Sequence, residues 1–143
     1  TAALTEVCRD LARQVQADAE GVTKRITVRV TGAASEDDAV VIARTVARDS
    51  LVKTALFGSD PNWGRIAMAV GNAAEFDPQQ LDITINGVAV CVRGGTGEDR
   101  SKADLSGKDI TVAIDLHAGD GTATVLTTDL SHGYVEENSA YSS

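Results

Sequence analysis

A threonine that opens a chain can act as a nucleophile, with its own amine as base, and this chain begins with Thr1. The residues that follow, Ala2-Ala3-Leu4-Thr5-Glu6-Val7, lead straight into an amphipathic helix. Thr1 therefore reads as a helix cap or the end of a fragment. Glu20 stands at the end of the same helix, just before Gly21. The partial negative charge of a helix C-terminus disfavours a carboxylate there by about 0.3–1 kcal/mol. By pattern alone Glu20 is a solvated surface residue, although a carboxylate is also the right group to hold an ammonium. Asn138 and Ser143 lie in a polar tail that pattern alone leaves disordered. Tyr134, Val135 and Tyr141 nevertheless give that tail apolar anchors. An amide such as Asn138 donates to a carboxylate and accepts from an amine. Ser143 offers a hydroxyl and the terminal carboxylate.

Other polar clusters carry less. Lys53 and Thr54 precede Asp60-Pro61, a strong helix start, and could hold an anion there; Lys53 is more simply a charge at a strand end. Trp63 reads as core, and Arg65 as one half of an ion pair with an unspecified acid. Gly94-Gly95-Thr96-Gly97 lacks the Gly-Lys-Ser/Thr ending of a phosphate loop, and no helix follows it. His117 and His132 are not at metal spacing with each other or with Cys8 and Cys91. The sequence thus predicts no metal, no cofactor and no catalytic histidine, and two reduced thiols in a cytoplasmic protein. The formal charge of −8 argues against a nucleic-acid partner, which requires a basic face. No apolar run approaches the roughly 20 residues of a membrane-spanning helix.

These residues need a scaffold, and 143 residues are the size of one domain. Aromatic residues make up only 3%, so the core must come from Ala, Val, Ile and Leu. Residues 3–19 repeat apolar positions at helical spacing, and Gly21 ends the helix as a left-handed cap. Residues 24–31 alternate as a half-buried strand. Ser35 caps a second helix whose first turn holds Glu36, Asp37 and Asp38. Leu51 to Phe57 is a short apolar strand candidate, and Asp60 caps a third helix running to Gly71 and Asn72. From Leu81 the pattern alternates through two strands joined by the hairpin turn Asn86-Gly87. Ile110–Leu116 and Thr122–Thr127 follow as strands, after an exposed loop at 93–109. The tail after Asp129 has no clear period. Together these elements predict a single α+β domain over residues 1–143, with helices packed on a mixed, mostly antiparallel sheet.

Two long stretches go beyond fold. Ser50-Leu51-Val52-Lys53-Thr54-Ala55-Leu56-Phe57-Gly58-Ser59-Asp60-Pro61-Asn62-Trp63-Gly64-Arg65-Ile66 resembles a segment of the bifunctional ornithine acetyltransferase / N-acetylglutamate synthase family of arginine biosynthesis. The end of the chain, from Thr127-Thr128-Asp129-Leu130-Ser131-His132 to Ser143, resembles that family's C-terminal tail. The resemblance implies the C-terminal part of the β chain of a self-cleaving enzyme with an N-terminal threonine nucleophile. It implies acetyl transfer from N-acetylornithine to glutamate through an acetyl-threonine, with the nucleophile outside this chain. It makes Glu20, in its Ala-Asp-Ala-Glu-Gly setting, a substrate-binding residue, together with Asn138 and the last residue, Ser143. The implied partners are the α chain and the N-terminal part of the β chain, in an α2β2 assembly. Two other readings differ in class: a non-catalytic acidic binding or assembly module, and a self-sufficient hydrolase using Thr1.

Overall fold

The computed structural model describes residues 1–140. Helix α1 (Ala2–Ala17) leads to strand β1 (Arg25–Ala33), then to helices α2 (Glu36–Arg48), α3 (Ser50–Phe57) and α4 (Trp63–Ala73). Strands β2 (Asp82–Ile85), β3 (Val88–Val92) and the short β4 (Gly95–Thr96) follow, then β5 (Asp109–Asp115), β6 (Gly121–Thr128) and helix α5 (His132–Ala140). The strands form one sheet in the order β4-β3-β2-β5-β1-β6. β1 runs parallel to β5, and every other neighbouring pair is antiparallel. This is the mixed, mostly antiparallel sheet that the alternating pattern predicts.

One face of the sheet is dry. Ile26, Val28 and Val30 of β1, Ile83 and Ile85 of β2, and Ile110, Val112 and Ile114 of β5 are buried there. They pack with Ile42, Ala43 and Val46 of α2, Val52 and Leu56 of α3, and Ile66 and Val70 of α4. Trp63 is partly buried against this cluster rather than inside it. Burying each large aliphatic side chain contributes about 1.5–3 kcal/mol, so a core with few aromatics still suffices. The other face of β1 carries Arg25, Thr27 and Arg29, and α1 lies on that side. The Asn86-Gly87 turn has φ of +46° and +82°, the left-handed pair that a two-residue hairpin requires.

Three local expectations are corrected. The run Leu51–Phe57 is helical, not extended. Val52, Ala55 and Leu56 are its buried residues, a spacing of three and four, and Asp49 caps the helix by accepting from the Val52 N–H at 2.9 Å. The cap of α4 is Asn62, whose side chain accepts from the Arg65 N–H at 3.2 Å. Asp60 instead accepts from the Asn62 side chain at 3.1 Å. The loop at 93–109 contains β4 and a 3-10 turn at Arg100–Lys102, and it buries Ala103 and Leu105. Ser35 caps α2 as expected, accepting from the Asp38 N–H.

At one end of the sheet Asp82 of β2 and Asp115 of β5 face each other across the ladder. Two carboxylates so placed repel unless a cation lies between them. His117 fills that role when its ring is protonated: its Nε2 lies 2.6 Å from Asp82 and its Nδ1 3.6 Å from Asp115. Asp82 also accepts from the Arg93 N–H at 2.8 Å, and Asp115 from the His117 N–H at 3.0 Å. The hydrogen bond to Asp82 raises the His117 pKa against desolvation, and the charges of Asp115 and Asp82 add to the rise against that of Arg93. Desolvation pushes the Asp82 carboxyl up, but the Arg93 amide and His117 together hold it below its usual value.

Candidate substrate-binding site

Glu20 and Asn138, far apart in sequence, meet in the structure. The Asn138 side-chain amide donates to Glu20 at 3.3 Å and to the Tyr134 carbonyl at 2.8 Å. Both residues are exposed. Ser143 lies outside the described residues. Thr1 does not join this pair; its hydroxyl accepts from the Leu4 N–H at 3.3 Å and so caps α1.

The meeting is built from below. Helix α1 ends at Ala17, with Asp18 as its C-cap, so Glu20 sits in the following turn and not in the helix proper. Gly21 continues that turn at φ +63°. A Cβ on Gly21 would lie 2.7 Å from the Tyr134 Cα, so only glycine lets the turn and α5 approach this closely. The tail is a helix, contrary to its lack of period, because Ser131 caps it: its hydroxyl accepts from the Tyr134 N–H at 3.0 Å and donates to the Gly21 carbonyl. One buried hydroxyl thus starts α5 and ties it to the Glu20 turn.

A second clamp lies beneath. Asp129, only 2% exposed, accepts from the backbone N–H groups of Thr23 and Lys24, each at 2.9 Å, and from the Thr23 hydroxyl. Lys24 is itself buried, and its ammonium donates to the carbonyls of Leu105 and Gly107. The 50–66 segment buttresses α5 from the side. The Phe57 ring meets the His132 ring edge-on at 5.4 Å, and the Leu130 N–H donates to the Lys53 carbonyl at 3.4 Å. Arg65 pairs with no acid among the described residues. It donates to the Leu51 carbonyl at 2.9 Å and to the Thr54 hydroxyl at 3.5 Å, bracing α3 against α4.

Sequence reasoning misses the supporting residues Lys24, Asp129 and Ser131. A signal exists for one of them: Ser131 precedes the apolar pair Tyr134-Val135 by three residues, as an N-cap does.

The chemistry of the pair is specific. The two N–H directions of the Asn138 amide are spent on Glu20 and Tyr134. Among the described residues, the second Glu20 oxygen and the Asn138 oxygen receive no donor and remain as acceptors. Two acceptors with one negative charge suit an ammonium group. No group of three or more His, Cys, Asp or Glu among the described residues is placed to hold a metal ion. Cys8 is exposed and Cys91 buried, both as free thiols.

The model of the ArgJ family matches residues 1–143. The chain belongs to the ArgJ family. It is 64% identical over 142 residues to the arginine biosynthesis bifunctional protein ArgJ of Mycolicibacterium paratuberculosis, covering 99% of this chain and 35% of that protein. The ArgJ protein of Thermobifida fusca is 56% identical over 140 residues, covering 97% of this chain and 37% of its own length. The chain thus spans about a third of the curated relatives it matches. Among solved structures, the arginine biosynthesis bifunctional protein argJ of Bacillus halodurans superimposes with a TM-score of 0.92 at 37% identity. That match covers 97% of this chain and 68% of the other. The resemblance carried by the 50–66 stretch and the tail is therefore correct at the level of the family. In the described residues no helix is long and apolar enough to cross a membrane.

Proposed function

We propose that this chain forms the diamino-acid-holding wall of a glutamate N-acetyltransferase, one that moves acetyl from N2-acetyl-L-ornithine to L-glutamate. The observation that carries the reading is the Glu20–Asn138 pair, which among the described residues leaves two acceptors for a cation. An ornithine-like substrate supplies that cation as its side-chain ammonium. The names of the relatives, bifunctional proteins of arginine biosynthesis, support the substrate class.

In this reading the acetyl group passes through a threonine outside the chain. Its hydroxyl attacks the acetyl carbonyl while its free amine takes the proton. The amide bond breaks, ornithine leaves with that proton on its amine, and an acetyl-threonine ester remains. The amine of glutamate then attacks the ester, and the threonine hydroxyl is restored as N-acetylglutamate departs. Thr1 is not the nucleophile in this reading, and its capping of α1 supports that placing. Glu20 and Asn138 fix the far end of the substrate, which holds the acetyl carbonyl at a constant distance from the attacking oxygen. The same reading makes the chain the C-terminal part of a β chain in a self-cleaved, cytoplasmic α2β2 assembly.

The test is acetyl transfer from N-acetylornithine to glutamate, measured with this chain alone and with the rest of an ArgJ protein added as a separate polypeptide. Turnover is expected only in the second case. Turnover by the chain alone would overturn the placing of the nucleophile, and no turnover in either case would favour a purely structural module.

A further inference from the structure

Helix α1 contributes nothing to the core. None of its residues is buried. Leu4, Val7, Leu11 and Val15 recur every three or four positions and so share one edge. That edge faces solvent: the four are 62, 54, 54 and 73% exposed. Toward the sheet the helix turns a mixed face, with Cys8 and Ala12 beside three polar residues. Thr5, Arg9 and Arg13 overlook a cleft of about 960 Å³, with Arg29 and Thr124 on the opposite wall. The side chain that fastens the helix is Gln16, whose amide donates to the carbonyls of Ile26 and Thr127 at 2.9 and 2.7 Å.

Physically this arrangement is incomplete. Helices draw most of their stability from burying an amphipathic face, and a 16-residue helix is close to the length that is marginal alone. Here the amphipathic face exists, but its apolar side points away from the domain it belongs to.

We propose that the Leu4–Val7–Leu11–Val15 edge is the docking seam for the part of the ArgJ polypeptide outside these 143 residues. The match to the relatives runs through α1, over 142 residues, yet this chain is only 35% of their length. The solved Bacillus halodurans chain likewise has about a third of its length beyond the match. The occupant is thus a covalent or former neighbour that every such relative carries, and an apolar edge fits a permanent contact better than a transient one. The inference deepens the proposed function, because it rests on the reading that the chain works with the remainder of a precursor. It adds which surface receives that remainder.

The experiment uses the chain together with the remaining portion of the Mycolicibacterium paratuberculosis protein, produced as a second polypeptide. The variant is Leu4→Lys combined with Leu11→Lys, and the control is Val41→Lys, an exposed apolar residue of α2. Circular dichroism and unfolding curves confirm that each variant is folded. The double variant is expected to bind the second polypeptide at least about a hundredfold more weakly, since two apolar side chains are lost from the seam. The control is expected to bind as the unaltered chain does. Equal binding by the double variant overturns the proposal, as does absence of binding by the unaltered chain. A dimer of the chain alone that the double variant dissociates also overturns it, in favour of a second copy. Acetyl transfer separates the two readings. A complex that needs the α1 edge but transfers no acetyl upholds the seam and defeats the enzymatic function. Transfer by a complex that ignores the edge does the reverse.

Discussion

Asn138 donates its side-chain amide to Glu20 over 3.3 Å, across a sequence separation of 118 residues. The contact joins the turn after the first helix to the last helix of the chain. It exists only because Gly21, Ser131 and Asp129 bring those two segments together. The candidate site is therefore a property of the fold's closure and not of a local motif.

Changing Glu20 to Gln keeps the shape of the pair and removes its charge. In the reconstituted assembly, ornithine affinity is expected to fall by about 1–3 kcal/mol, the range for a hydrogen-bond partner of a charged group. Calorimetric titration measures this directly. Unchanged affinity removes Glu20 from the site.

Gly21 is a harder constraint. Gly21→Ala adds a methyl group only 2.7 Å from the Tyr134 Cα, on a residue already at φ +63°. The expected cost is about 1–3 kcal/mol of stability, with α5 shifted off the turn. Amide exchange along residues 132–140 is expected to accelerate. Unaltered protection there would show that α5 does not depend on this approach.

Asp129→Ala leaves two backbone N–H groups and the Thr23 hydroxyl without their acceptor. Leaving a buried donor unpaired costs about 1–3 kcal/mol. Denaturant unfolding should show a loss of at least that size. Asp129→Asn retains one oxygen and should recover part of it; equal losses in both variants would mean that charge, not geometry, holds the clamp.

The Asp82–His117–Asp115 cluster makes stability depend on pH. The His117 pKa is raised in the folded state, so its contribution is complete below the ordinary value of about 6.5 and is lost as pH rises through the folded value. The Asp82 pKa is lowered, so its contribution is present above the ordinary carboxylate value and is lost as pH falls through the folded one. The cluster is therefore worth most between these limits, in mildly acidic solution. The difference in melting temperature between the unaltered chain and His117→Gln is expected to shrink from about pH 6 to about pH 8. A difference that stays constant across that interval would show that the histidine is held by packing alone.

Much of the scaffold is legible in the amino-acid pattern. The alternation in Ile26-Val28-Val30 and Ile110-Val112-Ile114 marks strands because half-burial imposes a period of two. Ser35 with its three following acids marks α2 because caps and dipole act through adjacent residues. Leu51–Phe57 is ambiguous, since seven residues of mixed apolar type fit either period; the deciding group, Asp49, lies just outside the run. Helix α5 is hidden because it buries no residue, and its start depends on a hydroxyl that also serves Gly21. The site residues themselves come from family resemblance. Nothing local to Glu20 announces Asn138, because the bond between them is decided by tertiary closure.

Strand β1 is hydrogen-bonded on one side to β5 and on the other to β6, both from the far end of the chain. During synthesis its Ile26, Val28 and Val30 must therefore wait, unpaired, until more than eighty further residues have been made. Closure of such distant pairs is slow, and a waiting apolar strand is an invitation to wrong partners. Recovery from dilute denaturant should thus be sluggish and concentration-sensitive, with folding yield limited by how long the two hydrogen-bonding edges of that strand remain unpaired.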